Sequence, residues 1–268
     1  MIRNVLSIAG SDPSGGAGIQ ADLKTFSAQG VYGMAVITAL TAQNTRGVTG
    51  IHMPPPAFVA DQIAAIFADI RVDAVKIGMI ANAGIAEAVA DALAGQAVAW
   101  IVLDPVMVAK GGARLLQPEA VAVLKQRLCP LSQLITPNIE EAAALLDEPP
   151  IGSRQQMPGL AQRLMGLGAG AVYLKGGHLD GDESPDLLVS EETTSWMEGP
   201  RFATANTHGT GCTLSAALAA RLALGETLPT AARHAKTYVA EAIAAAGALS
   251  VGHGHGPTHH FHALWNGD

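Results

Sequence analysis

The chain has 268 residues, a formal net charge of −7, and 49% hydrophobic against 15% charged residues. A composition so rich in apolar residues supports a large core and excludes a disordered segment. The acidic balance, with no Lys/Arg cluster, offers poor footing for nucleic acid or an anionic membrane. Cys129 and Cys212 stand too far apart and too few to frame a disulfide scaffold. No apolar run has the length of a signal core or a bilayer span; Glu87 and Asp91, for example, interrupt Gly84–Leu103. The expectation is one cytoplasmic domain over residues 1–268.

Short β-type runs alternate with alanine-rich helical runs. Val5–Gly10, Met34–Thr41, Ala74–Gly78, Val98–Asp104, Leu134–Thr136 and Ala171–Lys175 read as strands apolar on both faces. Between them, Ile19, Leu23 and Phe26 form one helical stripe, and Val59, Ile63, Ile66 and Ile70 form another. Pro118 and Pro137 each open a further helix, where proline is tolerated. After Asp180 the texture changes. Asp186–Ser190, Thr194–Met197 and Arg201–Thr204 suggest an antiparallel edge, and two helices follow, the first with Leu214, Leu218 and Leu222 on one face. The pattern predicts a mostly parallel sheet covered by helices on both faces.

In such a sheet ligands sit beyond the carboxyl ends of the strands, so the residues just after each strand carry the interest. Thr207-His208-Gly209-Thr210-Gly211-Cys212 can gather backbone N–H groups at a helix N-terminus for an anion, or can be a plain cap. There, Cys212 is either a thiol with a lowered pKa or a small buried residue. Gly10–Gly18 reads as a glycine-rich flap with Asp12 or Asp22 able to reach a ligand. Its partial dinucleotide fingerprint starts too late after the strand. Gln43 offers the acceptor and donor that a 4-aminopyrimidine edge needs. Asp104 before Pro105 suits a hydrated Mg²⁺ or an Asx turn. Asn138 and Glu141 satisfy a capping box and share a helical face. Lys175 before Gly176-Gly177 can neutralise phosphate charge or lie in a solvated turn. The tail gathers His253, His255, His259, His260 and His262 without acidic or cysteine partners, which argues against a metal.

Taken as a set, AGSDPSGGAGIQADLKTF (Ala9–Phe26), ITALTAQNT (Ile37–Thr45), KIGM (Lys76–Met79), LDPVM (Leu103–Met107), ITPNIEEA (Ile135–Ala142), LKGGH (Leu174–His178), NTHGTGC (Asn206–Cys212) and GHGHGP (Gly252–Pro257) resemble the hydroxymethylpyrimidine/phosphomethylpyrimidine kinases. The likeness spans nearly the whole chain. It implies a ribokinase-like three-layer α/β/α sandwich with a mostly parallel sheet and a small antiparallel edge. It implies ATP- and Mg²⁺-dependent phosphorylation of 4-amino-5-hydroxymethyl-2-methylpyrimidine and of its monophosphate in thiamine biosynthesis, by a homodimer. By the same likeness, Gly10, Asp22, Gln43, Met79, Val106 and Cys212 line the pyrimidine pocket, and Gly209 and Gly211 shape the anion hole. Lys175, Lys236, Asn138 and Glu141 serve the nucleotide, and Asp104 with Glu141 organises Mg²⁺, partly through water. Cys212 stands where many ribokinase-like enzymes carry an aspartate base. The rival readings are a pyridoxal/pyridoxine kinase, against which Gln43 and Cys212 lean, and a non-catalytic pyrimidine-binding sensor, which would not need Lys175, Asn138 and Glu141.

Overall fold

The computed structural model describes residues 1–108, 112, 115–177, 179 and 181–265. The His178 that ends the LKGGH segment lies outside them.

The central strands are β1 (Asn4–Ser11), β2 (Tyr32–Asn44), β4 (Ala74–Ile77), β5 (Trp100–Leu103), β6 (Leu134–Ile135) and β7 (Ala171–Lys175), paired parallel. The antiparallel strands are β3 (Gly47–His52), paired to β2, and β8 (Asp186–Ser190) with β9 (Thr194–Met197) beyond β7. The sheet runs in the order β3-β2-β1-β4-β5-β6-β7-β8-β9. Its inner strands are apolar on alternate faces and feed two cores. One core packs α2 (Pro56–Asp69), α3 (Ala83–Ala94), the helical run Pro118–Leu131 (α4, a π-helical turn, then α5), α6 (Ile139–Leu146) and α7 (Met157–Met165). The other packs α1 (Gly18–Ala28), α8 (Thr210–Ala223) and α9 (Leu228–Ala244). Three layers result. Leu214, Leu218 and Leu222 are all buried, and so are Ala216, Ala217, Ala219 and Ala220 on the remaining faces of α8. Small residues let this helix lie close on the sheet, with its N-terminus aimed at the strands' carboxyl ends.

The alternation predicts most of these elements, and the departures have local causes. β3 has no apolar signature, because GVTGIH is an edge strand exposed over most of its length. β2 is buried on one face only, with Leu40 46% exposed, so it is not apolar on both faces. Arg201–Thr204 is not a strand: the Arg201 guanidinium donates to the carbonyls of Gly177, Gly181 and Glu183, and the segment wraps this loop instead of pairing. Pro137 precedes the N-cap Asn138, so α6 starts two residues after it. Strand order reverses about β1, whose neighbours are β2 and β4. A crevice therefore opens at their carboxyl ends.

Candidate active site

One cavity of about 1170 Å³ runs along this rim. It is lined by Gly10, Gln43, Met79, Asp104, Val106, Asn138, Glu141, Lys175, Gly209, Gly211, Cys212 and Lys236, all of them among the residues singled out above. Asp22 is not part of the lining. It stands fully buried behind Lys76, which does line the cavity.

Backbone packing shapes the anion-binding end. Gly209, the N-cap of α8, has φ +78, and a Cβ on it would overlap the Gly16 carbonyl, so only glycine fits. Asp12 is buried and works inside the glycine-rich loop rather than pointing at a ligand. Its carboxylate accepts from the N–H and hydroxyl of Ser14 (2.9 and 2.7 Å) and from the N–H groups of Gly16 and Ala17 (3.2 and 2.9 Å). His208 Nε2 lies 2.8 Å from the same carboxylate and 3.3 Å from the Gln43 amide. The loop is thereby clipped to the turn that opens α8. The GHGHGP tail is a strap over the same region. His255 N–H donates to the Thr45 carbonyl (2.8 Å) and His208 N–H to that of Gly256 (3.0 Å). Beneath it, burial pushes His260 down to about 3, helped by the Lys24 and His259 charges, so its ring is neutral. No metal-binding cluster of three His, Cys, Asp or Glu occurs among the described residues.

Charge in the cavity is organised in pairs. Lys175 Nζ donates to Asp104 (2.8 Å) and lies 3.5 Å from Glu141. Asp104 also accepts from Thr136 (3.1 Å) and Ser215 (3.3 Å). Burial alone would raise Asp104, but the Lys175 and Lys76 charges hold it below the usual carboxylate range. Glu141 is pushed up to about 7 by burial, against the opposing pull of Lys175 and with the Asp104 charge adding to the rise. Its capping box with Asn138 is formed, 2.8 Å in each direction. Lys236 donates to Asp186 (2.7 Å) and to the Ser184 carbonyl (2.6 Å). Lys76 donates to both oxygens of Asp22 (3.0 and 2.8 Å), which also accepts from Ser7 (2.6 Å). Burial opposes the Lys76 charge, yet Asp22, Cys212 and Asp104 hold its pKa above the ordinary lysine value. Cys212 is pushed up to about 11, because burial and the Asp22 and Asp104 charges outweigh Lys76 and the Gly18 backbone. The thiol is therefore protonated at neutral pH, and the start of α8 does not lower it.

Lys76, His208, Asp186 and Arg201 are the components that pattern reading did not single out. A lysine inside a strand and an arginine in a loop each look solvent-facing until their partners, distant in sequence, are known.

A family model described as phosphomethylpyrimidine kinase matches residues 12–259. The chain belongs to that family. The hydroxymethylpyrimidine/phosphomethylpyrimidine kinase of Escherichia coli (strain K12) is 54% identical over 262 residues, covering 98% of each chain. Among solved structures, an ADP complex of Bacillus subtilis pyridoxal kinase superposes with a TM-score of 0.91 at 36% identity, over 99% of this chain and 100% of that one. Phosphomethylpyrimidine kinase from Clostridium difficile 630 gives 0.80 at 43% identity, over 90% and 99%. The protein is thus a kinase of thiamine biosynthesis with the ribokinase-like fold, and it uses ATP. Among the described residues, no helix is long and apolar enough to cross a membrane.

Proposed function

We propose that this kinase transfers the γ-phosphoryl group of ATP to the hydroxymethyl oxygen of 4-amino-5-hydroxymethyl-2-methylpyrimidine, and then a second phosphoryl to the monophosphate. One observation carries the reading. Gln43, suited to an aminopyrimidine edge, and the Gly209–Cys212 turn, suited to a phosphoryl group, open onto the same cavity. Gly10, Met79, Val106 and Cys212 wall the ring beside Gln43, with Asp22 acting through Lys76. The Gly209 and Gly211 N–H groups receive the transferring phosphoryl, and the helix dipole favours charge there. Lys175 neutralises it, and Lys236 and Asn138 serve the nucleotide.

The residues present also fit a magnesium ion. Asp104 and Glu141 flank Lys175 with more negative than positive charge, and Mg²⁺ characteristically takes one or two carboxylates and keeps its waters. When bound it screens the phosphate charge. Glu141 would hold it through water. Asp104, already engaged by Lys175, Thr136 and Ser215, would contribute mainly charge. With the Cys212 thiol protonated, its part is to place the hydroxyl. The substrate oxygen attacks phosphorus, the bond to ADP breaks, and the hydroxyl proton passes to a phosphoryl oxygen or solvent. Positioning and charge neutralisation account for most phosphoryl-transfer catalysis.

The likeness to a pyridoxal kinase supports a second activity on pyridoxal at the same site. A coupled ADP-release assay with the hydroxymethylpyrimidine, its monophosphate and pyridoxal tests both. Turnover of both pyrimidines is expected, and turnover of pyridoxal alone would reverse the assignment. We further propose that the chain acts as one domain in a cytoplasmic homodimer, in keeping with its two free cysteines. Size-exclusion chromatography with light scattering tests the dimer.

A further inference from the structure

The end of β2 that carries Gln43 is not fixed by burial in either hydrophobic core. Gln43 is half-buried between the exposed Ala42 and Asn44, at a register shift in the pairing with the edge strand β3. The tail ties this hairpin down. Gly254 N–H donates to the Thr45 hydroxyl (3.1 Å), and His255 N–H donates to the Thr45 carbonyl (2.8 Å). One residue on, the Gly256 carbonyl accepts from His208 N–H (3.0 Å), beside the Gly209 cap of α8. Pro257 then packs on the glycine-rich loop, where a Cβ on Gly16 would lie 3.2 Å from it. The far end of the strap is anchored on α9: His259 N–H donates to the Ala242 carbonyl (2.9 Å), and the Tyr238 hydroxyl donates to the His260 carbonyl (2.7 Å).

These contacts need bare backbone. A Cβ on Gly254 would lie 2.1 Å from the Thr45 carbonyl oxygen and 2.9 Å from the Arg46 nitrogen, and one on Gly256 would lie 2.2 Å from the Asn206 side chain. Neither glycine has a positive φ, so both serve close approach and not a turn. His253 and His255, which alternate with them, are exposed. We propose that the Gly252–Pro257 strap is a positioning element for phosphoryl transfer: it sets the distance from the Gln43 amide to the Gly209–Cys212 turn, and so acts on the reaction through Gln43. The inference rests on the substrate reading above. The ring is held at the amide and the phosphoryl group at the turn, so the segment that joins the two segments sets how the acceptor oxygen meets phosphorus. Attack needs that oxygen in line, and a misplacement of about 1 Å can cost about a hundredfold in rate. Relief of the overlap between a Gly254 Cβ and a main-chain oxygen takes a shift of that size.

The test measures kcat/KM for the hydroxymethylpyrimidine in wild type, Gly254→Ala, Gln43→Leu and the double variant, with a thermal melt to confirm that each is folded. Gly254→Ala should cost about tenfold or more in the wild-type background and less than about twofold in the Gln43→Leu background, where the strap has no amide left to place. A purely structural role would cost the same factor in both backgrounds. Equal losses, or a folded Gly254→Ala variant that keeps the wild-type value, overturn the inference. Should Gly254→Ala fail to fold, Gly256→Ala decides by the same comparison, because its Cβ meets the Asn206 side chain and not main chain. Absence of wild-type turnover on the aminopyrimidine would instead overturn the substrate reading, and the strap's role with it.

Discussion

Replacing Lys76 by methionine should destabilise the kinase by about 3–5 kcal/mol, the usual cost of leaving one member of a buried ion pair without its partner. Lys76 and Asp22 are both 0% exposed, with Nζ 2.8 and 3.0 Å from the two carboxylate oxygens. At an effective dielectric constant of about 20, the shorter contact corresponds to an attraction of about 6 kcal/mol, opposed by a desolvation cost of several kcal/mol for each ion. Removing the ammonium abolishes the attraction and leaves Asp22, still buried, with the Ser7 hydroxyl alone. Removing both charges together abolishes both desolvation costs. The double variant Lys76→Met/Asp22→Leu should therefore lie within about 2 kcal/mol of wild type, because swapping a whole buried pair for apolar side chains is often near neutral. Urea unfolding at pH 7 measures all four corners of the cycle. In a thermal scan the single variant should melt roughly 10 °C lower, the shift expected of a chain this long. Two results would refute the reasoning: a Lys76→Met loss below about 1 kcal/mol, or a double variant whose loss equals the sum of the singles.

Four further expectations follow from the site. Gly209→Ala should cost at least 2 kcal/mol and most of the activity, since it combines a left-handed φ with overlap on the Gly16 carbonyl. Gly211→Ala should melt near wild type, because a Cβ there meets Lys175 Nζ and Asp104 at 3.5 and 3.7 Å, and should lose phosphoryl transfer only; differential scanning fluorimetry beside steady-state kinetics separates the two. Cys212→Ala should slow the first phosphorylation more than the second, whose nucleophile is already an anionic phosphate oxygen, and equal losses would remove Cys212 from hydroxyl placement. Glu141, raised to about 7 by burial, keeps a proton in the folded state that the unfolded chain sheds near 4.5, so its contribution to stability is complete below 4.5 and is lost as pH rises to about 7. Glu141→Gln should flatten that fall by an amount on the order of 3 kcal/mol between pH 4.5 and 8 in urea titrations, while activity drops.

The inner strands and the stripe of α8 are legible because burial on both faces, or along one stripe, leaves its period in the amino acids themselves. β3 escapes because an exposed edge strand needs no such period. The site is legible from residues at or just beyond strand ends: Gly10, Gln43 and Lys175 close β1, β2 and β7, Met79, Asp104, Val106, Asn138 and Glu141 follow β4, β5 and β6, Gly209, Gly211 and Cys212 open α8, and Lys236 alone comes from α9. What remained hidden was partnership. Nothing local says that Lys76 meets Asp22, 54 residues away, or that His208 meets Asp12, 196 residues away. Asp22 was legible as a polar residue near the site, but its place behind Lys76 depends on which strand α1 packs against. In the sequence His208 is only part of a turn, because a histidine beside glycines gives no sign of which carboxylate it meets.

These partnerships bear on how a protein of net charge −7 handles a triphosphate. Each lysine named at the site is matched: Lys76 by Asp22, Lys175 by Asp104 and Glu141, and Lys236 by Asp186. That is three positive charges against four carboxylates, of which burial shifts Glu141 toward its protonated form. Arg201 also lines the cavity, but its N–H groups are spent on backbone carbonyls. The described side chains therefore bring no excess cationic charge to the nucleotide. On the proposed reading, anion binding rests on the main-chain donors at Gly209–Cys212 and on a cation that arrives with the substrate, with Lys175 shared between its carboxylates and the phosphoryl group. Only such an ion reverses the local sign of charge, and only main-chain donors whose approach is set by Gly16 and Gly209 can hold the transferring group without a lysine leaving its carboxylate. On the proposed reading, such a cavity should bind nucleotide weakly without a divalent cation, because its own charges already cancel.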